Sequence, residues 1–258
     1  MIECIKKFGE RRFLFSELIK RDFKKKYKRT YLGMLWSLFS PLLSLLIMSL
    51  VFTEFFGRTQ PHYTIYIFCG NIVFSYFTDS SGGGMGSLLG NAEVFSKINL
   101  PKYLFLFSRN VSSLINFGLT FFVFLIFCVI DGIEFGLVFF SLIIPIFSLV
   151  IFNLGIGFIL SSLFVFFRDM QYLWGVFTTL LMYMSAIFYT VDNFSPRIQR
   201  LFHLNPIYVY IRYFRLVVID GIFPSLEMNI LTIGYAVLSF LIGVLVYKRY
   251  NHKFIYYV

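Results

Sequence analysis

Charge is what this sequence has little of, and the places without it are long and continuous. Only 14% of the 258 residues are Asp, Glu, Lys or Arg, while 58% are hydrophobic and the mean hydropathy is +0.77. Such a balance lies outside that of a water-soluble domain, so the solvent is lipid. The middles of the long apolar runs contain no Asp, Glu, Lys, Arg or His, and Glu54 and Asp79 sit near run ends. Ion-coupled transporters need such groups to hold the driving ion, so a secondary transporter is argued against. No G-x-x-x-x-G-K-[ST] phosphate loop occurs, and the glycines at 82–90 lack the Lys and the preceding strand that phosphate binding would need. They read as a flexible loop or a close helix approach. Cys4, Cys69 and Cys128 are odd in number and far apart, which implies neither a disulfide framework nor a metal site. His62, His203 and His252 fall on separate segments without HExxH, so a metal-dependent membrane enzyme is disfavoured. The first 31 residues hold no apolar stretch behind a short basic start. They are not read as a cleavable signal, and the first span is expected to direct insertion itself.

What is present is a series of apolar runs of spanning length, roughly 20 residues each. Six transmembrane helices are expected at about 33–56, 62–78, 107–130, 136–166, 172–191 and 228–247, giving an all-α integral membrane protein. Pro145 is expected to kink the fourth. The net charge of +10 does not call for nucleic acid, because eleven of the 23 Lys and Arg residues lie between Lys6 and Arg29, just before the first run. Anionic lipid headgroups are the better partner for such a cluster. Residues 11–28 place Phe15, Leu18, Ile19, Phe23 and Tyr27 at helical spacing with lysines and Arg21 around them. They read as an interfacial amphipathic helix or a plain basic anchor, within a cytoplasmic segment 1–31 that precedes one transmembrane domain, 32–258. With both termini cytoplasmic, eighteen Lys and Arg face the cytoplasm and five face outward, as the positive-inside rule favours.

Two connections are too rich to be plain loops. Residues 79–102 read as a cytoplasmic loop with a short surface helix that touches something, and 88–103 are its conspicuously polar part. Residues 193–221 mix Arg197, Arg200, Arg212 and Arg215 with aromatics and are broken at Asn205-Pro206. Two short external helices, re-entrant or interfacial, fit that pattern. They read either as a gate hinged at Asn205-Pro206 or as a static amphipathic cap. Aromatics form 21% of the chain. Most serve packing and anchoring, but Tyr63, Tyr66, Tyr183 and Tyr189 stand between packing and lining a glycan path, since a buried phenol wants a partner that lipid does not offer.

The motifs Arg21-Asp22-Phe23, Tyr27-Lys28, Tyr31-Leu32-Gly33-Met34-Leu35-Trp36-Ser37 and Pro41 resemble the start of ABC-2-type permeases that export bacterial polysaccharides such as O-antigen and teichoic acid. Lys97, Pro101-Lys102, Phe167-Arg168-Asp169, Asn205-Pro206, Arg215 and Gly221 follow in the same order, so the resemblance covers nearly the whole chain. It implies two copies of this chain and two cytoplasmic ABC ATPase subunits, with ATP and Mg on those subunits and no cofactor on this one. It implies a lipid-linked glycan substrate, a coupling role for Glu93, Lys97, Pro101, Lys102, Arg168 and Asp169, and a bacterial inner-membrane location. Lys102 stands where many relatives have Arg, which removes bidentate pairing with an acidic partner. An ABC-2 exporter of drugs or small lipids and a lipid-carrier glycosyl- or acyltransferase are the rival readings.

Overall fold

The computed structural model describes residues 13–24, 33–56, 62–97 and 100–257. These are helical with no strand among them. Helix α1 covers 13–24. It is followed by α2 (Trp36–Phe56), α3 (Tyr63–Met85), α4 (Ala92–Lys97), α5 (Tyr103–Ile130), α6 (Ile143–Phe166) and α7 (Met170–Met184). The chain then forms α8 (Pro196–Phe202), α9 (Pro206–Val218), α10 (Leu226–Tyr250) and α11 (Phe254–Tyr257). The connection between the first two expected spans, 57–61, and the motif residues Tyr27, Lys28, Tyr31 and Leu32 lie outside the described residues.

Among the described residues, three stretches are long and apolar enough to cross a membrane: Tyr103–Ile130, Leu137–Phe166 and Leu226–Tyr250. They correspond to the third, fourth and sixth expected spans. The best-packed pair is α6 with α10, and small residues make that closeness possible. A Cβ on Gly155 would collide with the backbone of Ser239, and one on Gly243 with the backbone of Gly155. Without a hydrophobic force between helices in lipid, such close approach is what binds them. Pro145 sits in the first turn of α6, after a 3-10 stretch over Leu137–Leu142. There its missing N–H costs no intrahelical bond, so the expected mid-span kink becomes a helix start.

Two other expectations are corrected. Of the two readings of the glycine run, the close helix approach holds and the flexible loop does not: α3 continues through Gly82, Gly83 and Gly84 to Met85. Packing explains this, since a Cβ on Gly84 would sit 3.2 Å from the Gly157 Cα of α6, and one on Gly83 would sit 2.5 Å from Arg109 Nε. The fifth expected span, 172–191, is helical only to Met184. At 15 residues α7 is shorter than a bilayer crossing needs. Beyond it the chain unwinds, and Ala186 takes a φ of 50°.

The bundle has two chemically distinct ends. At one, α1 packs Leu18 against Phe95 and Phe105 while Lys20, Arg21 and Lys24 face outward, as an amphipathic surface helix should. At the other, His62 Nδ1 meets Asp131 Oδ2 at 2.6 Å, and α9 is inserted among α3, α6 and α10.

Candidate functional site

The unwound stretch after α7 is the strongest local departure from regular structure, and its backbone is held by side chains from distant helices. In a continuous helix these carbonyls would accept intrahelical bonds; buried and unpaired, each would cost about 1–3 kcal/mol. Asn205 Nδ2 donates to the Met184 carbonyl at 3.1 Å and to Ser185 Oγ at 2.9 Å. Arg215 donates to the carbonyls of Ala186 at 2.9 Å and Ile187 at 3.0 Å. The hydroxyls of Tyr63 and Tyr66 donate to the carbonyls of Phe188 and Tyr189 at 2.9 and 2.7 Å. Tyr189 closes the set by donating its own hydroxyl to the Tyr183 carbonyl at 2.7 Å.

Arg215 organises the group. It is 3% exposed and pairs with no carboxylate among the described residues; its remaining donors reach the Tyr66 carbonyl at 3.3 Å and the Tyr66 hydroxyl at 2.8 Å. Its guanidinium lies 3.4 Å from the centre of the Tyr66 ring. A planar fork suits this work, because five donors in fixed directions can serve several carbonyls at once while the ring face meets the charge. A Cβ on Gly70 would stand 3.2 Å from Arg215 Nη2, so that glycine leaves room for the fork.

The four arginines of the expected gate therefore do not act alike. Arg197 and Arg200, on α8, are exposed, and Arg212 is half-buried at 3.7 Å from Asp192. Arg215 is buried and is not available as a surface cation. The break at Asn205-Pro206 is where it was expected, but it is a pinned joint. Asn205 is 9% exposed, and its Oδ1 accepts the Ile207 N–H at 3.0 Å, capping α9, while its Nδ2 holds the end of α7. Helix α9 belongs to the core, whereas α8 buries no residue and exposes Ile198 and Leu201. Of the expected glycan-path tyrosines, Tyr63 and Tyr66 are packed with occupied hydroxyls; Tyr183 is 58% exposed.

The expected coupling residues gather at the α1 end. Glu93 is exposed on α4, and the side chain of Lys97 lies outside the described residues. Pro101 accepts the Leu104 N–H at 3.0 Å through its carbonyl, starting α5. Lys102 turns inward rather than toward a partner. Its Nζ donates to the Asn251 carbonyl at 2.8 Å and stands 5.6 Å from the ring centres of Phe95 and Phe254, tying α4, α5 and the C-terminal tail together. Burial there lowers its pKa from the usual lysine value. Arg168 and Asp169 are exposed at the start of α7, and the Asp169 side chain makes no capping bond. Lys102's tail bridge was not foreseen, and nothing in the sequence between 98 and 103 signals a partner at 251.

This all-helical bundle, with spans and a buried arginine in the order the motifs require, can be set beside known proteins. The sequence profile of the ABC-2 type transporter family matches residues 14–219, most of the chain. The chain belongs to that family. It is a transporter membrane subunit by that membership, and its apolar helices are those of a membrane protein. An O-antigen export system permease protein RfbA from Myxococcus xanthus is 26% identical over 214 residues, covering 80% of both chains. Two proteins of the same name from Klebsiella pneumoniae are each 26% identical, over 247 and 249 residues, covering 94% of this chain and 95% of theirs.

Proposed function

We propose that this ABC-2 chain is the permease subunit of an ATP-driven exporter that moves a lipid-linked polysaccharide across the bacterial cytoplasmic membrane. The observation that carries the reading is the end-to-end match to O-antigen export permeases, 94% of this chain against 95% of the relative, which leaves little room for a soluble insertion on either side. Six crossings with both termini inside accord with the distribution of Lys and Arg in the sequence. Two ABC ATPase subunits supply the energy and a second copy of this chain completes the channel.

The second copy has a physical reason on this chain. Helix α7 buries no residue, and Tyr172, Leu173 and Val176 are at least 62% exposed. An unwound backbone at membrane depth is tolerated only against protein or a water-filled path. The unwound stretch is already buried within this protomer at 185–188, so it is the exposed face of α7 that we assign to a partner protomer, with the channel beside it. Because α9 is core and α8 is exposed, α8 is the mobile part of the gate.

The test is deletion and rescue in the native host. Loss of this chain should abolish surface polysaccharide and cause lipid-linked glycan to accumulate on the cytoplasmic side, and the chain should co-purify with an ABC ATPase. Full surface glycan in the deletion strain would refute the export reading; a solitary chain that still restores export would refute the ATPase partnership.

A further inference from the structure

A cavity of about 400 Å³ opens at the α1 end, between α1, the glycine-rich end of α3 and the start of α5. Its polar lining comes from Arg21, Asp22, Ser87, Asn91 and Arg109, with Phe105 as an apolar wall. We propose that this cavity binds a phosphoryl anion, with Arg109 as its principal cation.

Three independent features carry the proposal. The first is charge with no partner. Arg109 has no hydrogen-bond or ion-pair partner among the described residues, although its stem is fitted against Gly83. Asp22 does not neutralise it. Both oxygens of that carboxylate are already engaged: Oδ1 accepts from Arg21 Nε and Nη2 at 3.0 and 2.6 Å, and Oδ2 accepts from Ser108 Oγ at 3.1 Å. Two arginines against one carboxylate leave the lining net positive.

The second feature is an orphaned hydroxyl. Ser87 is 4% exposed, lines the cavity, and its Oγ has no partner among the described residues. A buried hydroxyl without a partner is costly, and a bound anion would accept its proton. Ser87 and the two arginines can all donate into this space, and they outnumber the one Asp22 carboxylate, already engaged on both oxygens, so the lining suits an oxyanion better than a cation.

The third is the glycines. A Cβ on Gly82 or Gly90 would meet nothing within 4 Å, and one on Gly86 only the Gly82 carbonyl at 4.0 Å. Close helix packing therefore does not require these three. Glycine within a helix costs about 0.5–1 kcal/mol relative to alanine. What their bare backbones provide is the open volume of the cavity itself.

The phosphoryl group has two sources, a lipid headgroup at the membrane surface or a soluble phosphate, and the site chemistry is shared. The inference stands apart from the export reading, because it concerns this chain's binding of an anion whatever is transported. The full-length chain is placed in phosphatidylcholine nanodiscs, and the shift in Tm is followed against inorganic pyrophosphate and, separately, on doping the disc with phosphatidic acid. Arg109→Gln, Gly82→Leu and Arg249→Gln are compared with the unaltered chain. Gly82→Leu fills the cavity without removing charge, and Arg249→Gln removes the same charge from an exposed position at the same end. Removing a charged donor weakens binding about tenfold or more. Arg109→Gln and Gly82→Leu should each show that loss and Arg249→Gln should not. Stabilisation by pyrophosphate with this pattern assigns a soluble phosphate, and stabilisation by phosphatidic acid alone assigns a lipid headgroup. Should Gly82→Leu fail to fold, Arg109→Lys, which keeps the charge and loses the fork, should bind at intermediate strength. The proposal is overturned if neither probe stabilises the chain, if Arg109→Gln binds as the unaltered chain does, or if Arg249→Gln loses as much as Arg109→Gln. It is equally overturned if Arg109→Gln disrupts ATPase co-purification while binding of both probes is unchanged, since the cavity is then a protein socket.

Discussion

Arg215 and Arg109 sit at opposite ends of one helical bundle and have opposite surroundings. Arg215 is buried with its guanidinium shared among the carbonyls of Tyr66, Ala186 and Ile187 and the Tyr66 hydroxyl and ring. Arg109 lines an open cavity and has no such partner among the described residues. The same side chain thus does two jobs. Where acceptors surround it, it fixes backbone that has left the helix; where they are missing, it waits for an acceptor from outside the chain.

The largest effect expected from this contrast is at Arg215. Arg215→Ala strands several buried carbonyls at once, so the chain should lose about 3–5 kcal/mol of stability. Thermal unfolding in detergent measures it, and limited proteolysis should show a new cut between 185 and 195. Arg215→Lys should recover only part of the loss, since an ammonium cannot reach both strands of acceptors in one plane. A silent Arg215→Ala would dissolve the contrast from one side.

Asn205→Ala comes next, at about 1–2 kcal/mol, because it removes the cap of α9 and two bonds to the end of α7. Tyr63→Phe should cost about 1 kcal/mol through loss of the hydroxyl's bond to the Phe188 carbonyl, read by the same unfolding experiment. Arg109→Gln should be the smallest, within about 0.5 kcal/mol, since no hydrogen bond or ion pair with a described residue is lost and the shorter side chain still packs on Gly83. Destabilisation by Arg109→Gln on the scale of Arg215→Ala would mean that Arg109 is a structural group after all.

Much of the helical frame was legible in the residues, and the reasons are local. Apolar runs free of charge fix α5, α6 and α10, and Asn205-Pro206 reads as a helix start because proline fits the first turn and asparagine caps it. The unwinding after Met184 was not legible. Ser185-Ala186-Ile187-Phe188 is apolar enough to continue a span, and what releases it is donors from Tyr63, Tyr66, Asn205 and Arg215, some more than a hundred residues away in sequence. The glycine run allowed a loop or a close helix approach, and the fold decides for the approach: Gly83 and Gly84 stay helical against Arg109 and Gly157. Among the site residues, Arg215 reads in the sequence as one of four external gate cations, and only the tertiary fold turns its side chain into the core.

The central claim is that this chain forms an export path powered by a separate ATPase. Its most direct test is transfer of a fluorescent lipid-linked oligosaccharide across proteoliposomes that contain this chain and its ABC ATPase. The account predicts ATP-dependent transfer that requires both proteins and is lost with Arg215→Ala even where the ATPase still binds and hydrolyses ATP. Transfer that proceeds without ATP, or with the ATPase but without this chain, would contradict it.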